Sequence, residues 1–130
     1  MAILIDTSVL VDAERQGLAI DRRFEGEAAA ISVITASELL HGVHRAREED
    51  VRARRAAFVE GLLAAVEPLP VTVAVARAHA RIWADLEQTG RMIGAHDIWI
   101  AATAIGHGMD VATSNVAEFK RVPGLTVIAA

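Results

Sequence analysis

The feature that most restricts the fold is an alternation of short apolar runs with longer helical patterns. The first run, Ala-Ile-Leu-Ile at 2–5, contains no polar residue, which is typical of a strand covered on both faces. Further strands are predicted at about 29–34, 110–113 and 125–129, with a short edge strand at 66–69. Helical patterns begin at Val9 and Thr35, cover 51–65 and 73–88, and resume at Asp97. This order predicts an α/β sandwich around a parallel sheet.

Length and composition predict one globular domain, 1–130. The chain has 130 residues, 53% of them hydrophobic and 23% charged. It has no Cys, which excludes disulfides, thiolate nucleophiles and Cys-ligated metals. The longest stretch without Asp, Glu, Lys or Arg is 98–109, well below the roughly 20 apolar residues of a membrane span. Asp6 interrupts the first apolar run, so no signal peptide is predicted and the cytoplasm is the expected location.

Acidic residues follow the predicted strands. Asp6 comes directly after the first strand, Glu38 lies in the first turn after the second, and Asp97 begins a helix after a Gly-containing loop. Asn115 and Glu118 follow the strand at 110–113. Because the carboxyl ends of parallel strands line one crevice, these residues are expected to meet at one edge of the sheet.

Each acidic position also has a purely structural alternative. Residues 35–38 have the pattern of a capping box, and 115–118 fit the same pattern more loosely. Asp97 could act as a helix N-cap, and Asp6 could complement a helix dipole. Capping does not require carboxylates at successive strand ends, however, and Ser8 is the better N-cap candidate beside Asp6.

Converging carboxylates would repel one another unless a cation joined them. Oxygen ligands without Cys suit a hard ion such as Mg²⁺ or Mn²⁺ better than zinc. Such a site suggests metal-assisted hydrolysis of a phosphodiester.

Four stretches carry a resemblance to a known family. They are Ile-Asp-Thr-Ser-Val-Leu at 5–10, Ile-Thr-Ala-Ser-Glu-Leu-Leu-His-Gly at 34–42, Ile-Gly-Ala-His-Asp-Ile-Trp-Ile-Ala-Ala-Thr-Ala at 93–104, and the tail at 112–125. In this order they resemble a PIN-domain ribonuclease, specifically a VapC-type toxin of a toxin–antitoxin pair. The resemblance implies a PIN-like three-layer sandwich with a central, mostly parallel sheet flanked by helices. It also implies RNA cleavage with Mg²⁺ or Mn²⁺, a tRNA or rRNA substrate, a toxin homodimer, and an antitoxin that covers the acidic pocket.

The resemblance also assigns site residues. The catalytic acids would be Asp6, Glu38, Asp97 and Glu118. Asp6 and Asp97 would be the most direct metal ligands, with Glu38 binding directly or through water. The fourth acidic position is open between two residues: Glu118 stands where relatives more often carry Asp, and Asn115 stands where some relatives carry Asp. The residues expected to support the site or contact phosphate are Thr7, Thr113 and Asn115.

An arginine-rich segment is a candidate RNA-binding surface. It contains Arg45, Arg47, Arg52, Arg54 and Arg55, interrupted by the acidic residues at 48–50. Contacts to the phosphate backbone there would be salt-sensitive and would not select a sequence. The structural alternative is a solvated rim between two helices.

Particular residues bear on alternative classes of protein. A phosphoaspartate receiver needs paired acids at the first strand and a Lys after a late one, whereas Asp6 is single and Lys120 follows in a predicted loop. A dehalogenase-like phosphatase needs a second Asp where Ser8 stands. A catalytically silent PIN module that binds RNA or protein remains an alternative because of Asn115. His96, next to Asp97 in sequence, could act as a proton shuttle. Adjacent residues of a helix point in different directions, however, which argues against a shared site.

Overall fold

The computed structural model describes residues 2–17 and 28–130. The elements of these residues are β1 (Ala2–Ile5), α1 (Thr7–Gln16), β2 (Ala28–Ala30), α2 (Val33–Arg45), α3 (Glu49–Ala65), α4 (Val73–Thr89), α5 (Ala95–Gly106), β3 (Asp110–Thr113), α6 (Val116–Phe119) and β4 (Val127–Ala129). None of these helices combines the length and apolar character needed to cross a bilayer. The predicted domain 1–130 extends over residues outside the described ranges and stays a prediction.

The four strands form one sheet in the order β2-β1-β3-β4, and every pair is parallel. The predictions for β1 and β3 are confirmed to the residue, and β4 is shorter than 125–129 at its start. The strand predicted at 29–34 was too long at its carboxyl end, because Ser32 is already the N-cap of α2. The predicted edge strand at 66–69 is reduced to a single parallel bridge between Leu69 and Ser32.

Three helix starts differ from the sequence prediction. α1 begins at Thr7, two residues before Val9. α2 begins at Val33 because the Ser32 hydroxyl accepts the Thr35 amide at 3.0 Å. α5 begins at Ala95, two residues before Asp97. The helices α3 and α4 agree with the predicted ranges to within two residues, because their apolar positions keep helical spacing over four turns.

Two apolar layers cover the sheet. Alternate residues of β1 face opposite sides, so Leu4 packs into the cluster formed by α4 and α5, whereas Ile5 packs with α1, α2 and α3. Ile100 and Val9, both fully buried, come from these two opposite layers. The three-layer α/β sandwich with a central parallel sheet is therefore confirmed.

The strand order creates a switch point between β1 and β3. From β1 the chain moves to β2 on one side, and it later returns to add β3 on the other side. The carboxyl ends of β1 and β3 therefore open a crevice between diverging connections, which is where ligands bind in open α/β sheets. Asp6 follows β1 at this point, and Ser114 follows β3.

Candidate active site

Asp6 is a buried carboxylate held by one hydroxyl from α1 and one from the end of β3. Its side chain is 2% exposed, and its Oδ2 accepts from Ser8 Oγ at 2.7 Å and from Thr113 Oγ1 at 2.8 Å. Its backbone N–H donates to the Ala112 carbonyl at 2.9 Å, which continues the β1–β3 pairing. The carboxylate is therefore oriented by both strands that border the crevice.

Glu38 reaches the same region from the second turn of α2. Its Oε1 accepts from Thr7 Oγ1 at 2.7 Å, and its Oε2 lies 3.5 Å from Nδ1 of His96. Thr7 Oγ1 also lies 3.0 Å from Thr35 Oγ1, which links the starts of α1 and α2. Thr7 therefore sets the position of the Glu38 carboxylate.

Asp97 enters from α5, where it is the third residue. Burial, followed by the negative charge of Asp6, a side-chain hydrogen bond with Glu118 and the charges of Glu118 and Glu38, raises the pKa of Asp97 from 3.8 to about 7. The same interactions show that acids from β1, α2, α5 and α6 lie near enough to repel one another. Such repulsion is the electrostatic setting in which a cation binds favourably.

An open pocket of about 450 Å³ collects these groups. Its polar lining comprises Asp6, Thr7, Ser8, Asp12, Glu38, Asp97, Ser114 and Asn115. Within residues 2–17 and 28–130, no three acidic or imidazole side chains are already arranged as a ligand set around one point. The donors are nonetheless all oxygens, which suits a hard divalent ion that keeps several of its own waters.

Side-chain capping does not account for the acidic residues. Asp6 and Asn115 occupy N-cap positions by backbone geometry, but neither side chain makes a capping hydrogen bond. The N-cap of α5 is Gly94, not Asp97. The capping box proposed for 35–38 is wrong, because Ser32 caps α2 and Glu38 bonds with Thr7.

Several residues of the pocket were missed or misassigned from the sequence. Ser8 was expected to be an N-cap, but it lies inside α1, donates to Asp6 and accepts the Ser114 amide at 3.1 Å. Asp12, one helical turn after Ser8, accepts from Ser114 Oγ at 3.0 Å and was not considered. The spacing of four residues between Ser8 and Asp12 was the available indication.

The arginine-rich segment is partly occupied in structural contacts. Arg52 donates to the Ala46 carbonyl, Arg55 donates to the Gly42 carbonyl at 2.9 Å, and Arg54 pairs with Glu14 at 3.1 Å. Arg45 and Arg47 are exposed. Three of the five arginines thus tie α3 to its neighbours, although Arg52 and Arg54 are exposed as well; RNA binding by any of the five stays a prediction.

Comparisons with known proteins agree with this architecture. Residues 3–125 match the model of the PIN domain family. Ribonuclease VapC1 of Rickettsia felis is 39% identical over 128 residues, which cover 98% of this chain and 96% of that protein. The tRNA(fMet)-specific endonuclease VapC of Shigella flexneri is 29% identical over 129 residues, covering 96% and 95% of the two chains.

A solved structure is similar over the same extent. It is a member of the VapBC family of toxin–antitoxin systems, VapBC-5 from Mycobacterium tuberculosis, with a TM-score of 0.79 and 34% sequence identity. The match covers 98% of this chain and 96% of that one.

Proposed function

This chain belongs to the PIN domain family, and from that membership we propose that it is an endoribonuclease that acts as the toxin of a toxin–antitoxin pair. The observation that carries the proposal is the meeting of Asp6, Glu38 and Asp97, which are far apart in sequence, at one pocket on the β1–β3 switch point. The relatives named as ribonucleases support the substrate class, and the similar toxin–antitoxin structure supports an antitoxin partner.

The cofactor we propose is Mg²⁺ or Mn²⁺, held by Asp6 and Asp97, with Glu38 binding directly or through water. The all-oxygen donor set supports this assignment, as do the burial and the repulsion by neighbouring carboxylates that raise the pKa of Asp97. A divalent ion bound here would lower the pKa of the attacking water and would neutralise negative charge on the phosphate.

The roles of the chain's own residues follow from their contacts. Ser8 and Thr113 fix the Asp6 carboxylate, since both hydroxyls donate to its Oδ2. Thr7 fixes Glu38 in the same way. Thr113 is fully buried, and its hydroxyl donates its hydrogen bond to Asp6. We therefore propose that Thr113 orients the Asp6 carboxylate and does not contact phosphate.

The fourth acidic position is assigned to Glu118. Its charge and a side-chain hydrogen bond are among the causes that raise the pKa of Asp97, which supports a role beside a proposed metal ligand. Asn115 lines the pocket, where its amide can contact phosphate or water. A receiver-like function is not favoured, because Lys120 is exposed at the C-cap of α6 and does not line the pocket.

The partners we propose are an antitoxin protein and an RNA of the tRNA or rRNA class. The name of the Shigella flexneri relative supports a tRNA. The homodimer implied by the family resemblance stays a prediction.

Cleavage of total RNA by the purified protein tests the proposal. We expect cleavage with Mg²⁺ or Mn²⁺, none with EDTA, and a loss of at least about hundredfold in Asp97→Asn, as for removal of a group that acts on the transition state. Asp110→Asn is the matched control, because Asp110 begins β3 at the opposite end of the sheet. Retained cleavage in Asp97→Asn, or an equal loss in both folded variants, would refute the assignment.

A further inference from the structure

A second cavity adjoins the acidic pocket. It measures about 260 Å³, lies between α1, α2 and α3, and shares Thr7, Val11 and Glu38 with the acidic pocket. A ligand that occupies the cavity therefore lies beside residues that also line the acidic pocket. The metal-site proposal makes no use of this space.

One part of the cavity wall is apolar. Leu39 and Val59 are buried there, and Val11 and Phe58 are partly buried against the same cluster. An apolar wall with one aromatic ring suits a flat, weakly hydrated group such as a nucleobase, since every base presents an apolar face.

The rim of the cavity is cationic. Arg15 and Arg45 are exposed on it, and Arg55 is held in place by the Gly42 carbonyl at 2.9 Å. Two carboxylates also line the cavity: Glu14 pairs with Arg54 at 3.1 Å, whereas Glu38 accepts from the neutral Thr7 hydroxyl and lies on the side shared with the acidic pocket. Guanidinium groups bind phosphate oxygens through paired N–H donors, so the charge of the rim matches an anion attached to an apolar group.

We propose that this cavity binds an unpaired nucleotide of the RNA substrate, next to the phosphate that is cut. The inference rests on the proposed function and specifies its substrate. A cavity of this size is slightly below the range of about 300–1,000 Å³ for ligand pockets, so it suits one nucleotide better than a longer segment. A base inside a duplex cannot enter, and the RNA must therefore be single-stranded or splayed at this position.

A pair of glycine variants tests the cavity directly. Gly42 lines the cavity, whereas Gly61 lies on α3 and does not line it; both are helical, and an added Cβ meets no atom within 4 Å at either site. Gly42→Leu therefore fills the cavity, and Gly61→Leu is its control.

The probe is a fluorescently labelled random-sequence RNA hexamer, with binding measured by anisotropy in EDTA. We expect Gly42→Leu to bind about tenfold more weakly than Gly61→Leu or the unaltered protein, the loss of one base contact. A hexamer of abasic nucleotides should bind the unaltered protein weakly and be insensitive to Gly42→Leu. The proposal would be overturned if the two leucine variants bound the hexamer with equal affinity. It would also be overturned if the unaltered protein bound the abasic hexamer as tightly as the hexamer that carries bases.

A second pair of variants covers the case in which Gly42→Leu does not fold. Arg45→Gln removes a charge from the rim, and Arg47→Gln removes an equally exposed charge that does not line the cavity. We expect weaker hexamer binding, by about threefold or more, for Arg45→Gln alone, with a lower salt dependence. Equal affinities in the two variants overturn the proposal.

These measurements are independent of cleavage. If the protein cleaves no RNA but its hexamer binding is weakened by Gly42→Leu, the nucleotide site is supported and the proposed nuclease function is refuted. If the protein cleaves RNA but Gly42→Leu does not change hexamer binding, the nuclease function is supported and the nucleotide site is wrong. If Gly42→Leu leaves hexamer binding unchanged and instead blocks association with the antitoxin, the cavity is a protein-docking site and the nucleotide proposal is wrong.

Discussion

The Thr113 hydroxyl donates a hydrogen bond to Oδ2 of Asp6 over 2.8 Å, and both side chains are buried. This bond joins the carboxyl ends of β1 and β3 across the crevice. The same hydroxyl accepts a hydrogen bond from the backbone N–H of Asn115 at 2.9 Å. One side chain therefore orders both a proposed metal ligand and the segment that follows β3.

Thr113→Val should therefore weaken both stability and RNA cleavage. Valine keeps the shape of threonine but leaves one carboxylate lone pair and one amide unpaired, at a cost of about 1–3 kcal/mol in the free energy of unfolding. We expect cleavage to fall by about tenfold. Thr103→Val is the control, because Thr103 is equally buried but donates only to the Trp99 carbonyl within α5. Similar cleavage by the two variants would show that Thr113 does not orient Asp6 for reaction.

The raised pKa of Asp97 predicts a pH dependence of stability in metal-free protein. Between the ordinary value of 3.8 and the folded value of about 7, the folded protein binds more protons than the unfolded chain. The contribution of Asp97 to stability therefore falls as pH rises from about 4 to 7 and is lowest above pH 7.

Urea unfolding in EDTA at pH 5 and pH 8 measures this contribution. We expect Asp97→Asn to be more stable than the unaltered protein at pH 8, by about 1–2 kcal/mol after allowance for solvent screening. The advantage should shrink at pH 5, where Asp97 is largely protonated. An advantage that does not change with pH would contradict the raised pKa.

Divalent ions should reverse the same destabilisation. Mg²⁺ or Mn²⁺ at about 100 times its dissociation constant should add about 2.7 kcal/mol to the folded state, which raises the melting temperature by several degrees. The increase should be lost in Asp97→Asn and retained in Asp110→Asn. Thermal melting at pH 8 provides the measurement, and an equal rise in both variants would place the ion elsewhere.

The sequence predicted the layers and the acidic edge because both depend on short-range patterns. The apolar run of β1 and the position of Asp6 after it determine where that carboxylate lies once the sheet is parallel. The capping prediction was wrong. Ser32 and Thr35 are both acceptable N-caps by residue type, but in the structure the Ser32 hydroxyl accepts the Thr35 amide and Ser32 also bridges to Leu69.

The remaining site contacts depend on which helices pack together. His96 and Glu38 lie on α5 and α2, and their approach to 3.5 Å cannot be read from either segment alone. Adjacent helical residues point in different directions, yet Asp97 lines the pocket and His96 lies within 3.5 Å of Glu38, one of its acids. Near a helix start, two adjacent side chains can border the same open pocket from different sides.

Gly106 allows α4 and α5 to approach closely. A Cβ at this position would lie 2.8 Å from Cγ2 of Val75 and 3.1 Å from its Cα and backbone N, and backbone atoms cannot yield as a flexible side chain can. Gly106→Ala should therefore lower the free energy of unfolding by about 1–3 kcal/mol, although alanine is the better helix former. Gly61→Ala, with open space around it, should raise it by up to about 1 kcal/mol. Equal effects in urea unfolding would refute the close contact.

Gly94 tests the position of the Asp97 carboxylate without changing its chemistry. The backbone of Gly94 has φ −57° and ψ 145°, which alanine adopts without strain, but an added Cβ would lie 3.3 Å from Asp97 Oδ2. The carboxylate must then move by a few tenths of an ångström. We expect Gly94→Ala to reduce RNA cleavage by about tenfold, because small displacements of reacting groups have large effects on rate.

Gly94→Ser separates this displacement from a change in helix capping. Alanine is a poor N-cap, so Gly94→Ala should also lose up to about 1 kcal/mol of stability, whereas serine should restore it. Both residues carry the Cβ that meets Asp97, and both variants should therefore show the same loss of cleavage at saturating Mn²⁺. Recovery of cleavage in Gly94→Ser would mean that the start of α5, and not the placement of the Asp97 carboxylate, limits the reaction.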